Sequence, residues 1–130
     1  MSANDNLANV FTAVRNAERL AKPEVFTRPK SKLVTECLKL MQKNGYIGEF
    51  EIIEDGRGSI YHIKLVHRIN NCGVVKPRFP TKLLEFEKWE QRFLPANDVG
   101  FLIVSTPKGI MTHREAKQKK LGGALLGFFF

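Results

Sequence analysis

The chain has 130 residues, 43% of them apolar, and its 21 Lys and Arg outnumber 13 Asp and Glu for a formal charge of +8. That is too apolar for a disordered chain and the right size for one domain or two small lobes, and no apolar run reaches the ~18 residues of a membrane helix. A pI near 9.7 on so small a chain is the electrostatic footprint of a nucleic-acid partner, although an anionic surface would attract it too.

The first residues, MSANDNLANV, have no positive segment followed by an apolar block, so no secretory leader is expected. Asp5 and the late first Arg at Arg15 argue against a mitochondrial transit peptide. Residues 5–20 read as an amphipathic helix, with Leu7, Val10, Phe11 and Val14 at i, i+3, i+4, i+7. Asn4 or Asp5 is placed to cap it. Its other face carries Asn9, Arg15, Asn16 and Arg19, either solvated or laid against phosphates.

VFTRPKSKL is a short extended segment that runs into a second helix. Pro29 suits the first turn, where a missing N–H does no harm. Val34, Cys37, Leu38 and Met41 carry the helical spacing to about Lys43, and Gly45 suits the left-handed position after it. Arg28, Lys30, Ser31 and Lys32 stand at the front of this helix, where free N–H groups and cations can hold an anion. An ordinary helix start explains them equally.

GEFEIIE and SIYHIKLV are β-rich runs joined by DGRG, a hairpin signal. His62 and His67 read as surface residues of that hairpin rather than ligands. Residues 67–80 form a basic connection with prolines around Arg78 and Phe79, and a boundary is expected there. The expected fold is α+β in two small lobes. Residues 1–68 make an N-terminal helix-strand-helix-hairpin lobe, and residues 69–130 a mostly β C-terminal lobe with short helices.

TKLLEFEKWEQRFLP reads as a short helix ending before Pro95, with Trp89 packed between lobes rather than stacked on a base. VGFLIVST is a core strand buried on both faces. PKG then turns the chain, MTHREAKQKK starts a short helix, and LGGALLGFFF returns as a final strand. Thr112 caps that helix and Glu115, three residues on, completes a capping box.

No catalytic arrangement is convincing. Ser105, His113 and Glu115 have the residue types of a triad, but Glu115 is explained by the capping box and there is no nucleophile elbow. GRG and PKG are far from a P-loop. Cys37 and Cys72 have no paired spacing and are not grouped with His62, His67 or His113, so no metal site and no cofactor is expected. Binding fits better. Ser105 and Thr106 end a buried strand, Gly109 permits close approach, and Arg114, Lys117, Lys119 and Lys120 add four positive charges. Hydroxyls beside cations suit RNA recognised through its 2′-OH groups and phosphates.

STPKGIMTHREA followed by GG resembles the C-terminal signature of the universal ribosomal protein eight family of the small subunit. The pattern falls on Ser105, Thr106, Gly109, Ile110, Met111, Thr112, Ala116, Gly122 and Gly123. LANVFTAVRNAERLAK resembles the family's first helix and RPKSKLV the start of its second. NGYIGEFEIIED, FEKWEQRFLP and the GFFF end resemble the eukaryotic and archaeal branch, whose cytosolic eukaryotic form was once called fifteen-a. His113 and Arg114 stand where bacterial relatives often carry Asp-Arg.

The resemblance implies a structural, non-enzymatic protein that binds the central domain of small-subunit ribosomal RNA and helps assemble the subunit. It implies neighbouring small-subunit proteins as further partners, no membrane, no small-molecule substrate, and residence on cytoplasmic ribosomes with nucleolar assembly if eukaryotic. It places most RNA contact in the C-terminal lobe, at Ser105, Thr106, Lys108 and Gly109. Arg15, Asn16, Ser31 and Lys32 assist from the N-terminal lobe. The basic helix adds Arg114, Lys117 and Lys120. Two other readings stand beside it. One is a winged-helix DNA-binding regulator reading bases with Lys39, Gln42 and Lys43. The other is a module that docks an acidic protein.

Overall fold

The computed structural model describes residues 3–28, 30–54, 56–75, 80–96 and 99–130. It divides into two compact units, Met1–Cys72 and Gly73–Phe130. Each combines helices with antiparallel sheet, so the α+β expectation holds. The expected roles of Pro29, of Asp55 in the hairpin turn and of Pro77, Arg78 and Phe79 lie outside the described residues.

The first unit runs α1 (Ala3–Arg19), β1 (Glu24–Thr27), α2 (Lys32–Lys43), β2 (Ile47–Glu54), β3 (Ser59–Leu65). The strands form one antiparallel sheet in the order β1-β3-β2. Leu7, Val10, Phe11 and Val14 of α1, Val34, Cys37, Leu38 and Met41 of α2 and Tyr61 and Ile63 of β3 are all buried, and α1 packs on α2. Each large apolar side chain so buried contributes about 1.5–3 kcal/mol relative to exposure. The helix is longer at its start than its spacing suggests. Asn4 and Asp5 already lie within α1, so neither is the N-cap.

Local chemistry sets the helix ends. Ser31 Oγ accepts from the Val34 N–H at 3.1 Å, which caps α2. Gly45 (φ 79°) ends it, with the Tyr46 N–H donating to the Met41 carbonyl at 2.9 Å. The same closing turn ends α1 without a glycine. Ala21 takes φ 56° while the Lys22 N–H donates to the Ala17 carbonyl at 3.0 Å.

The second unit holds β4 (Cys72–Val74), which begins at the division, then β5 (Pro80–Thr81), a 3-10 turn (Leu83–Glu85) and α3 (Phe86–Phe93). β6 (Phe101–Thr106), β7 (Gly109–Thr112), α4 (His113–Gln118) and β8 (Gly123–Phe129) complete it. The sheet order is β4-β8-β6-β7, with β5 also on β8. Leu102, Val104, Met111, Ala116, Leu125, Phe86 and Trp89 fill its core.

Three strands escape the sequence reading. β4 and β5 are three and two residues long, too short to show alternation. β7 lies between the expected PKG turn and the helix that Thr112 is expected to cap. Pro107 and Lys108 reverse the chain, Gly109 (φ 121°) accepts the twist, and Ile110, Met111 and Thr112 pair with Ser105, Val104 and Ile103. The helix starts at His113, as a Thr112 cap requires, with Thr112 Oγ1 accepting from the Glu115 N–H at 3.3 Å. Trp89, only 5% exposed, packs inside the core of this unit, and a ring so covered has no face to offer a base.

Candidate nucleic-acid interface

The β6–β7 hairpin presents the first candidates. Successive strand residues face opposite sides. Leu102 and Val104 enter the core, so Ser105 points to the other face, half-buried and held between Ile110 of β7 and Ala124 of β8. Thr106 behaves differently. Its Oγ1 donates to the Gly109 carbonyl at 2.7 Å and accepts from the Lys108 N–H at 3.2 Å. That hydroxyl closes the turn instead of projecting from it. Lys108 stands exposed at the tip beside Gly109, where nothing lies within 4 Å of a Cβ position.

Helix α4 and its exit carry the cations, in three different settings. Arg114 lies 4.7 Å over the Phe101 ring and donates from Nη2 to the Gly100 carbonyl at 3.4 Å. Lys117 pairs with the buried carboxylate of Glu90 on α3. Lys119 and Lys120 are exposed. Lys120 is also left-handed (φ 57°), because the Leu121 N–H returns to the Ala116 carbonyl at 2.9 Å to end the helix.

His113 explains why Glu90 is buried. The imidazole is 2% exposed, and burial pushes it down to about 4 against the pull of Glu90. Its Nδ1 accepts from the Leu102 N–H at 3.0 Å, so the proton sits on Nε2, which faces Glu90 Oε1 at 3.3 Å. The neutral ring thus joins β6, α4 and α3, and Lys117 supplies the charge that Glu90 needs. None of this geometry prepares Ser105 for attack, since His113 faces Leu102 and Glu90.

In the first unit Ser31 is engaged as the cap of α2. The Ser31 N–H donates to the Tyr61 hydroxyl at 3.2 Å, and that hydroxyl donates to the Ser31 carbonyl at 3.0 Å. Lys32 is exposed on the first turn of α2. Asn16 is exposed on the rim of a groove between α1 and β1. Arg15 is half-buried, and among the described residues its Nε meets no hydrogen-bond partner.

One cation was missed by sequence reasoning. Arg57 in the β2–β3 loop joins Arg28, Lys30, Gly58 and Ser59 around a hollow of about 240 Å³. DGRG reads as a turn, and only the fold brings its arginine beside two cations nearly thirty residues earlier. Both cysteines are buried and neither is in a disulfide, and burial pushes Cys72 up to about 12, so it is an inert core residue.

A family model described as ribosomal protein S8 matches residues 5–130. The chain belongs to that family. It is a structural protein of the small ribosomal subunit, bound to that subunit's RNA and to neighbouring proteins, and not an enzyme. The winged-helix reading is left without support. Among the described residues no helix is long and apolar enough to cross a membrane.

Proposed function

We propose that this S8-family protein is the eukaryotic cytosolic form, once called fifteen-a, and that it binds the central domain of small-subunit RNA early in subunit assembly, in the nucleolus. Residues 69–130 make most of the RNA contact and residues 1–68 assist. Ser105, Lys108, Gly109, Arg114, Lys117 and Lys120 form the main site with the backbone around Thr106. Arg15, Asn16, Ser31 and Lys32 contribute from the first unit. The branch rests on the resemblance of NGYIGEFEIIED, FEKWEQRFLP and GFFF to that lineage.

One observation carries the RNA site. Lys108, Lys119 and Lys120 are exposed on turns whose backbones are fixed by hydrogen bonds, around a rigid strand end that offers the Ser105 hydroxyl. Such cations neutralise phosphates, and a fixed hydroxyl sets register.

The test is titration against a central-domain RNA fragment at two salt concentrations, with unrelated structured RNA and duplex DNA in excess. Binding that survives both competitors is expected. Binding abolished by either one would reduce the site to a basic surface.

A further inference from the structure

The sheet of the first unit has two unlike faces. Tyr61 and Ile63 turn toward the helices and are fully buried. The register places the alternate residues on the open face: Glu24 and Phe26 of β1, Ile60, His62 and Lys64 of β3, Glu51 and Ile53 of β2. The ladder shifts between Ile47 and Phe50, a bulge that brings Glu49 opposite Lys64 on the same face.

This face carries apolar and acidic side chains around a single lysine and an imidazole. Phe26 is 53% exposed and Ile53 37%. The Phe26 ring stacks on His62 at 4.4 Å between centroids and 6° between planes. His62 is held on both sides, Nε2 to Glu24 at 2.7 Å and Nδ1 to Glu51 at 3.0 Å. The aromatic platform is therefore fixed across all three strands before any partner arrives. Beside it, Glu49, Phe50, Glu51, His62 and Lys64 line a hollow of about 190 Å³.

The charge of the face opposes that of the chain. The chain carries +8, yet here three glutamates face Lys64 and an imidazole already shared between two of them. Three carboxylates against one lysine and one imidazole leave the balance acidic, which disfavours phosphates. Proteins that pack on ribosomal RNA neutralise phosphates with Lys and Arg, so they carry the complementary charge. An exposed aromatic with a charged rim is also the composition of a protein interface.

We propose that this open sheet face docks a Lys/Arg-rich segment of a neighbouring small-subunit protein. Phe26 and Ile53 provide the apolar anchor, and the carboxylates of Glu49 and Glu51, on the rim of the hollow they share with His62 and Lys64, pair with a guanidinium or ammonium group. The proposal rests on the small-subunit assignment.

The test replaces Phe26 by photoreactive p-benzoylphenylalanine in the full chain, assembled into small subunits and irradiated. Crosslinks to a Lys/Arg-rich peptide of a subunit protein are expected. Glu49→Lys, which leaves the His62 clasp intact, should cut their yield at least fivefold while affinity for the central-domain RNA stays within twofold of the parent. Crosslinks to RNA, or none in assembled particles, would overturn the docking face and leave the RNA-binding assignment standing. A parent chain that neither binds that RNA nor enters subunits would instead bring down the assignment, and the docking face with it.

Discussion

A Cβ placed on Gly123 would lie 2.0 Å from the carbonyl oxygen of Ser105. Strands β6 and β8 meet there more closely than any side chain permits, and the contacting atom is backbone, which cannot swing aside. Gly123→Ala must part the strands at the end that carries Ser105. The expected cost is that of an overpacked site, about 1–3 kcal/mol. It is read as a lower urea midpoint with an unchanged slope. A midpoint equal to the parent's would contradict the close approach.

Ser105 and Thr106 are neighbours with separable roles. Thr106→Val removes the acceptor of the Lys108 N–H and the donor to the Gly109 carbonyl. Stability should fall by about 1–3 kcal/mol. Ser105→Ala should leave the urea midpoint within error and weaken binding to the central-domain fragment. A Ser105→Ala chain with parental affinity would remove that hydroxyl from the interface.

Lys120 is held where glycine is the natural choice. A left-handed lysine costs about 1 kcal/mol, and such strain persists at sites retained for another reason. Lys120→Gly should therefore raise stability by about 1 kcal/mol and lower RNA affinity together. Opposite signs from one substitution are the signature of a residue kept for binding. A gain in stability with no loss of affinity would make Lys120 a solvated helix end.

The lysines of α4 should differ in their salt dependence. Each phosphate contact contributes about 0.7–0.9 to the slope of log K against log salt. Lys119→Gln with Lys120→Gln should reduce that slope by about 1.4–1.8. Lys117→Gln should reduce it by well under ~0.7, because its ammonium is shared with Glu90 and reaches phosphate only in part. Equal effects from all three would place Lys117 on a phosphate despite that pair.

Much of the fold was legible, and the signature motif shows why. Met111 and Ala116 are core, Thr112 is a cap, Thr106 closes a turn, Gly109 takes φ 121° and Gly123 admits a strand. These are local demands that residue type alone can express. Helix spacing in α1 and α2 and the β2–β3 hairpin were equally local. β4, β5 and β7 were not, since strands of two to four residues owe their form to neighbours distant in sequence. The site divides the same way. Exposed Lys108 and Lys120 follow from composition, whereas the pairing of Lys117 with Glu90 and the meeting of Arg57 with Arg28 depend on tertiary structure.

The two buried or clasped histidines predict opposite responses to pH. His113 ordinarily titrates at 6.5 and is pushed down to about 4 by burial. Between those values the unfolded chain binds the extra proton, so this contribution is complete above 6.5 and is lost as pH falls toward 4. His62 is raised above 6.5 by its hydrogen bonds to Glu51 and Glu24. Its contribution is complete below 6.5 and is lost as pH rises through the folded value. Urea midpoints at pH 8, 6.5 and 5 separate them. Those of the parent should fall between 6.5 and 5, before most carboxylates titrate, and His62→Gln should keep that fall. The gap between parent and His62→Gln should be wider at pH 6.5 than at pH 8. A parent midpoint that holds steady from 6.5 to 5 would mean that His113 takes up a proton without leaving the Leu102–Glu90 bridge.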